Sequence, residues 1–143
     1  MAVRVLLVDD SAEMRGLLKA VIEAAPDMEV VGEAEDGRRA VELALALQPD
    51  VVTMDIVMPV MNGVEATRRI VEQAPQVRVL ALTGYRNKKF VTEMFKAGAS
   101  GYLLKDCAFE ELILAIRTVC AGQRYVSPQV TPLNGETRGQ KGK

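Results

Sequence analysis

The sequence predicts an open, mostly parallel α/β sheet with helices on both faces. Three observations carry that prediction. Five short apolar runs alternate with five longer segments of helical periodicity. The first four runs are enriched in β-branched residues, as strands require. Several of them lack polar/apolar alternation, which is the pattern of a strand covered on both faces.

The first run, VRVLLV at Val3–Val8, leads into Asp9-Asp10. A helix from about Ser11 to Ala25 follows, with Met14, Leu17, Leu18, Val21 and Ile22 at helical spacing; Ser11 suits its N-cap and Pro26 bars continuation. The second run, MEVVGEA at Met28–Ala34, precedes a helix over about Gly37–Leu47 that ends before Pro49. The third, DVVTM at Asp50–Met54, delivers Asp55. The helix beyond it, after Asn62, has the cap-like pair Asn62 and Glu65 and the stripe Ala66, Ile70, Val71.

The fourth run, VRVLAL at Val77–Leu82, leads into Thr83-Gly84. Its helix covers about Arg86–Ala97, with Phe90, Val91, Met94 and Phe95 facing inward and Gly98 at C′. Positive charge at Arg86, Lys88 and Lys89 opposes the helix dipole, so the first turn is expected to be weak. The fifth run, GYLL at Gly101–Leu104, ends in Lys105. The last helix covers about Ala108–Ala121, with Phe109, Leu112, Ile113, Ile116, Val119 and Cys120 on its apolar face and Gly122 at its end. After Val126 the composition turns to Pro, Gly, Gln and charge, so residues 127–143 are expected to form a flexible linker or tail behind one domain at 1–126.

Composition sets further bounds. A chain of 143 residues with 49% apolar content can build one sizeable core, and 4% aromatics make that core aliphatic. A formal net charge of -1 argues against the whole molecule as a nucleic-acid ligand. No apolar run is long enough to span a membrane. The N-terminal apolar run passes straight into two aspartates, which suits a buried strand better than a signal peptide, and a cytoplasmic location is expected. Histidine is absent, which removes His acid–base chemistry, Ser-His triads, phosphohistidine relay and His-ligated metals. Cys107 and Cys120 have no metal-ligand spacing. Cys120 is read as a core thiol; for Cys107, near a helix start, reactivity is weighed as the minor alternative to an ordinary structural thiol.

In this architecture chemistry sits at the carboxyl ends of the strands. Those ends carry Asp9-Asp10, Asp55, Thr83-Gly84 and Lys105. Three converging carboxylates repel one another and resist desolvation. A hard divalent cation with oxygen ligands, Mg²⁺, resolves that conflict and keeps waters that phosphate oxygens can replace. Lys105 is placed to neutralise an anionic oxygen, Thr83 to donate a hydroxyl hydrogen bond, and Gly84 to leave room. An ionised aspartate is a competent nucleophile towards phosphorus. Asp9 and Asp10 are adjacent and suit metal binding; Asp55 stands alone after its strand and is the expected phosphoacceptor. Pro59 and Asn62-Gly63 constrain the following loop, which can present the backbone carbonyl of Val57 to the metal. Asp36 and Asp50 are read as ordinary turn or cap residues.

With those residues in place, VLLVDD (Val5–Asp10), DIVMPVMNG (Asp55–Gly63), LALTG (Leu80–Gly84) and GYLLKD (Gly101–Asp106) together resemble a CheY-like response-regulator receiver domain of a bacterial two-component system. The resemblance covers Val3 to about Val126. GYLLKD and GQRYVSP (Gly122–Pro128) resemble the subgroup whose receivers precede a LuxR/NarL-type helix-turn-helix domain, and the residues after Pro128 are too few to supply such a domain. The family implies a flavodoxin-like (βα)5 sandwich with strand order 2-1-3-4-5. It also implies that Asp55 takes a phosphoryl group from a sensor histidine kinase or a small donor such as acetyl phosphate. Asp9, Asp10, Asp55 and the Val57 carbonyl would hold Mg²⁺, and Thr83 and Lys105 would contact the phosphoryl group. Tyr102 occupies the position of the family's switch aromatic, which rotates inward as the threonine moves to the phosphate. Gly84 stands where alanine is commoner.

The expected output is transcriptional control through the DNA-binding domain of a longer protein, with homodimerisation through the first, fourth or fifth helix and remodelling of the face formed by helix four, strand five and helix five. Val57 and Tyr85, two positions beyond Asp55 and Thr83, are expected to limit attacking water and prolong the phospho-aspartate. The alternatives are a stand-alone receiver, an interaction module that is never phosphorylated, and a haloacid-dehalogenase-like phosphatase. The last needs a second aspartate two residues after its nucleophile, where Asp55 has Val57 and Asp9 has Ser11.

Overall fold

The computed structural model describes residues 2–130. Elements alternate as β1 (Val3–Val8), α1 (Ala12–Glu23), β2 (Met28–Ala34), α2 (Gly37–Leu47), β3 (Val51–Met54), α3 (Gly63–Gln73), β4 (Arg78–Thr83), α4 (Lys88–Ala97), β5 (Gly101–Leu104), a 3₁₀ turn at Lys105–Cys107, α5 (Ala108–Cys120) and β6 (Tyr125–Val126). All strand pairs are parallel, in the order β2-β1-β3-β4-β5-β6. The first five strands give the expected flavodoxin-like order. The sixth, two residues long, was not expected from the sequence.

The unbroken apolar character of the central strands has its predicted cause. Val5, Leu6, Leu7, Val51, Val52, Val79, Leu80 and Ala81 are fully buried between two helical layers. α1 packs with α5, and α3 packs with both α2 and α4. Helix ends follow local chemistry: Ser11, Asp36 and Asn62 cap α1, α2 and α3 by accepting from the backbone N–H three residues on. Glu65 does not return the Asn62 bond; its carboxylate is taken by Arg68 and Arg69. α2 ends on Gln48 in a left-handed conformation before Pro49, and α4 ends on Gly98 at φ 110°. Asp36 is the cap residue it was read as, whereas Asp50 accepts from the Arg4 backbone N–H at 2.8 Å, a bond to β1 rather than a turn or cap.

Several faces differ from the sequence reading. α4 begins at Lys88 rather than Arg86; its N-cap Asn87 makes no side-chain cap bond, and Arg86 instead pairs with Asp106 at 2.9 Å. Leu17 and Phe109, counted on apolar helical faces, are exposed. Each lies at the edge of its helix's apolar arc, where periodicity alone does not separate covered from uncovered. The two cysteines exchange places: Cys107 is buried and Cys120 is exposed.

The chain also remains packed past Val126. Ser127 and Val130 are fully buried, and the Ser127 N–H bonds the Tyr102 carbonyl at 2.9 Å. The rest of the segment read as a tail, residues 131–143, lies outside the described residues.

Candidate functional site

The parallel order brings the carboxyl ends of β1, β3, β4 and β5 side by side, so residues far apart in sequence meet at one edge. Asp9 follows β1 and is nearly buried; its Oδ1 accepts from the Ser11 N–H at 2.9 Å. Arg15, one turn into α1, donates to the Asp9 carbonyl oxygen and pairs with Glu33. Sequence reasoning gave Arg15 no role, because its contact needs the turn into α1 to fold back over β1. Asp10, next in sequence, is exposed.

Asp55 follows β3 and is 5% exposed. Its N–H bonds the Val8 carbonyl at 3.1 Å, and its Oδ1 accepts from the Ile56 N–H at 2.8 Å. Lys105, at the end of β5, reaches across: its Nζ is 2.8 Å from Asp9 Oδ2 and 3.0 Å from Asp55 Oδ2. Burial pushes the Asp55 carboxyl above its ordinary value; the Lys105 charge and hydrogen bond pull it back only in part, and Asp9 adds repulsion. Burial works to lower the Lys105 ammonium, but the Asp9 hydrogen bond and the Asp55 charge outweigh it and the net shift is upward.

The loop from Ile56 to Asn62 is held against this site by two glycines. A Cβ on Gly63 would stand 1.9 Å from the Asp55 carbonyl oxygen, and the Gly63 N–H bonds the Ile56 carbonyl at 2.7 Å. A Cβ on Gly37 would stand 2.3 Å from the Met61 carbonyl oxygen, which accepts from the Gly37 N–H at 3.0 Å. Gly63 was legible as half of an Asn-Gly turn; the close approach of Gly37 was not, because it depends on α2 docking against a loop some twenty-five residues away. Between them the Met61 N–H bonds the Pro59 carbonyl at 2.7 Å around Val60 at φ 70°. This is a tight turn about a β-branched residue in the left-handed region, a strained conformation.

Thr83 ends β4, fully buried, and its Oγ1 accepts from the Tyr85 N–H at 3.4 Å; no hydrogen bond joins it to Asp55. A Cβ on Gly84 would meet nothing within 4 Å. Tyr102 of β5 is fully buried, and its hydroxyl donates to the Tyr85 carbonyl oxygen. Burial, with the Asp55 charge, pushes its phenol well above the ordinary value. Asp10, Asp55, Val57, Gly84, Tyr85 and Lys105 line an open cavity of about 460 Å³. Thus Asp9, Asp10, Asp55 and Lys105 are brought together, Val57 and Gly84 line the mouth, and Thr83 and Tyr102 lie behind the Tyr85 loop.

Asp9, Asp10 and Asp55 each offer a carboxylate oxygen within 4.8 Å of the others. Three anionic oxygen donors, two of them on nearly buried residues and only one ammonium between them, form a donor set that fits a hard divalent cation such as Mg²⁺. Away from this site, Cys107 is unsuited to reactivity: burial, then the Glu111 and Glu110 carboxylates, push its thiol up. No helix among the described residues is long and apolar enough to cross a membrane.

Comparison with known proteins agrees with this geometry. The family model described as the response regulator receiver domain matches residues 5–117. The chain is 43% identical over 129 residues to the transcriptional regulatory protein DegU of Brevibacillus brevis, covering 90% of this chain and 55% of the relative. It is 41% identical over 128 residues to the response regulator GacA of Pseudomonas aeruginosa, covering 90% and 60% respectively. The chain therefore spans less than two thirds of these relatives' length. Among solved structures, a LuxR-family two-component response regulator from Aurantimonas sp. SI85-9A1 superposes with a TM-score of 0.90 at 37% identity, covering 95% of this chain and 97% of that one. The response regulator ChrA of a heme-sensing two-component system superposes with a TM-score of 0.78 at 33% identity, covering 99% of this chain and 68% of that one.

Proposed function

The chain belongs to the response regulator receiver domain family, and from that premise we propose that Asp55 is the phosphoacceptor of a phosphorylation-controlled switch. As a receiver it is a signalling module and not a turnover enzyme. One observation carries the proposal: the nearly buried Asp55 carboxylate faces a cavity, bonded to Lys105 and grouped with Asp9 and Asp10.

In this reading one Asp55 carboxylate oxygen attacks the donor's phosphorus. The bond from phosphorus to the donor atom, a histidine nitrogen of a sensor kinase or the acyl oxygen of acetyl phosphate, breaks as the new bond forms. Asp9, Asp10, Asp55 and the Val57 carbonyl would hold Mg²⁺, which when bound neutralises charge on the transferring group. Lys105 gives up part of its contact with Asp55 to meet a phosphoryl oxygen, and Thr83 turns its hydroxyl from Tyr85 towards another. Val57 and Tyr85 at the cavity mouth restrict the approach of hydrolytic water.

The domain, expected over 1–126 and packed as far as Val130, would be the receiver part of a transcription regulator with a LuxR-type DNA-binding domain. Homodimerisation and kinase docking would use its helical surfaces, in the cytoplasm. The length and name of the Brevibacillus brevis relative support a longer transcription regulator, and the LuxR-family name of the Aurantimonas structure supports that type of output. The test is incubation of the chain with acetyl phosphate and Mg²⁺ followed by intact mass measurement. The expected result is a gain of one phosphate, absent in Asp55→Asn. Modification that persists in Asp55→Asn would reassign the acceptor. No modification by acetyl phosphate or by phosphorylated kinase would favour a phosphorylation-independent interaction module.

A further inference from the structure

Tyr102 is held at both ends, and its second partner lies in the segment beyond α5. Its hydroxyl donates to the Tyr85 carbonyl oxygen, two residues past Thr83. Its own carbonyl accepts from the Ser127 N–H at 2.9 Å. The ladder along β5 continues in both directions: the Tyr125 N–H bonds the Ser100 carbonyl at 3.3 Å, and the Leu104 N–H bonds Ser127 Oγ at 3.0 Å. The last rung is therefore made by a side chain, on the residue immediately before Lys105. Ser127 and Val130 are fully buried, so the contact is part of the packed domain. The flanks are tied as well: the Arg124 guanidinium lies 4.3 Å over the Phe95 ring of α4, and the Tyr125 hydroxyl bonds Glu111 of α5.

We propose that the segment Arg124–Val130 is a strap whose docking on β5 is coupled to the state of Asp55, with Ser127 as the positioning residue that joins the two. The inference rests on the phosphoacceptor reading above. The physical link is short. A phosphoryl group on Asp55 supplies acceptor oxygens to Lys105 and Thr83 and so fixes the ends of β5 and β4. A fixed Leu104 N–H and Tyr102 carbonyl present a preformed edge, and the strap then loses less freedom in docking on it. Coupling of this kind is reciprocal: whatever the phosphoryl group adds to strap docking, the docked strap returns to phosphoryl retention. The strap leads directly to the residues that follow it, so the state of Asp55 would reach them through Lys105, the end of β5 and the three hydrogen bonds that dock the strap on that strand rather than through a remote surface.

The experiment is amide hydrogen exchange on the full 143-residue chain, with and without beryllofluoride and Mg²⁺ as the phosphoryl mimic. Binding is monitored separately by chemical shift changes at Thr83 and Gly84. Slowing of exchange at Leu104 and Ser127 by roughly fivefold or more on binding, with β2 amides unchanged, supports the strap. Binding that leaves Ser127 exchange unaltered overturns it while the phosphoacceptor reading stands. No binding at all overturns both. A second arm compares affinities for beryllofluoride: Ser127→Ala should weaken binding roughly fivefold and Ser127→Thr, which keeps the hydroxyl, should restore it. Equal affinity in all three proteins counts against the coupling. The wild-type exchange arm stands whether or not Ser127→Ala folds.

Discussion

Lys105 places its ammonium 3.0 Å from the Oδ2 of Asp55, across fifty residues of sequence, and shares it with Asp9 at 2.8 Å. One cation thus serves two nearly buried carboxylates. Replacing Lys105 by Met leaves both without it, and unfolding in urea without divalent metal should show a loss of about 1–3 kcal/mol. Mg²⁺ should recover part of that loss, because it supplies the missing positive charge. Equal stability of the two proteins in metal-free buffer would show that the ammonium is not holding the site.

Asp55 makes the stability depend on pH. Its carboxyl lies above the ordinary 3.8 in the folded chain, chiefly through burial, so the folded state binds its proton more tightly than the unfolded state does. The stability it contributes is present below 3.8 and is lost as pH rises through the raised value. Asp55→Asn has no such loss. In metal-free buffer the melting temperature of Asp55→Asn relative to wild type should therefore rise between pH 4 and pH 7, and a difference that stays flat or falls would contradict the burial account.

Two glycines near the site should respond differently to alanine. Gly63→Ala drives a Cβ into the Asp55 backbone, and the cost is expected at about 1–3 kcal/mol with slower phosphorylation, since the acceptor's own strand end must shift. Gly84→Ala meets open space and should lie within about 0.5 kcal/mol of wild type. Paired urea titrations and acetyl phosphate time courses compare them directly.

Val60 holds a left-handed conformation at the surface, at φ 70° and 75% exposure, so its side chain buries little that offsets the strain. Val60→Gly relieves the strain at some cost in unfolded-state entropy. A net gain of about 0.5–1 kcal/mol is expected in thermal unfolding. A loss would mean that the valine side chain itself stabilises the loop.

Tyr85 is half exposed at the cavity mouth, with its ring 5.0 Å from that of Phe90. Its backbone carbonyl, not its ring, receives Tyr102. Tyr85→Ala should therefore speed loss of phosphate from Asp55 severalfold while leaving the Tyr102 contact in place. Unchanged dephosphorylation, followed by intact mass after donor removal, would remove the ring from the water-limiting role.

The alternation of strands and helices and the carboxylate cluster were legible because each rests on a strong local signal: β-branched runs covered on both faces, and acidic residues directly at their ends; the strand order came only with the family resemblance. What was not legible depends on close approach across the fold. Gly37 against Met61, and Arg15 over the Asp9 carbonyl, require two elements to dock before either contact exists. Leu17, Phe109 and Cys120 sit at the margins of apolar arcs, where a few degrees of helix rotation decide exposure. Thr83 and Tyr102 were read with roles but without their partner, the Tyr85 backbone: the reach from Thr83 through its loop has no periodicity, and the Tyr102 contact forms only once β5 lies beside β4. β6 is two residues long, too short to carry any.

The outer strands of the sheet are β2 and β6, and its two edges are protected against unwanted pairing by different means. β2 carries Glu29 and Glu33, and an irregular register where it meets β1. β5, next to the other edge, is four uncharged residues, GYLL, and is covered by Tyr125–Val126 and Ser127. An open edge of that composition is a template for another chain. Truncation before Tyr125 is then a solubility problem as much as a structural one. Expressed fragments ending at α5 should self-associate through β5, and domain boundaries drawn for this protein belong beyond Val130.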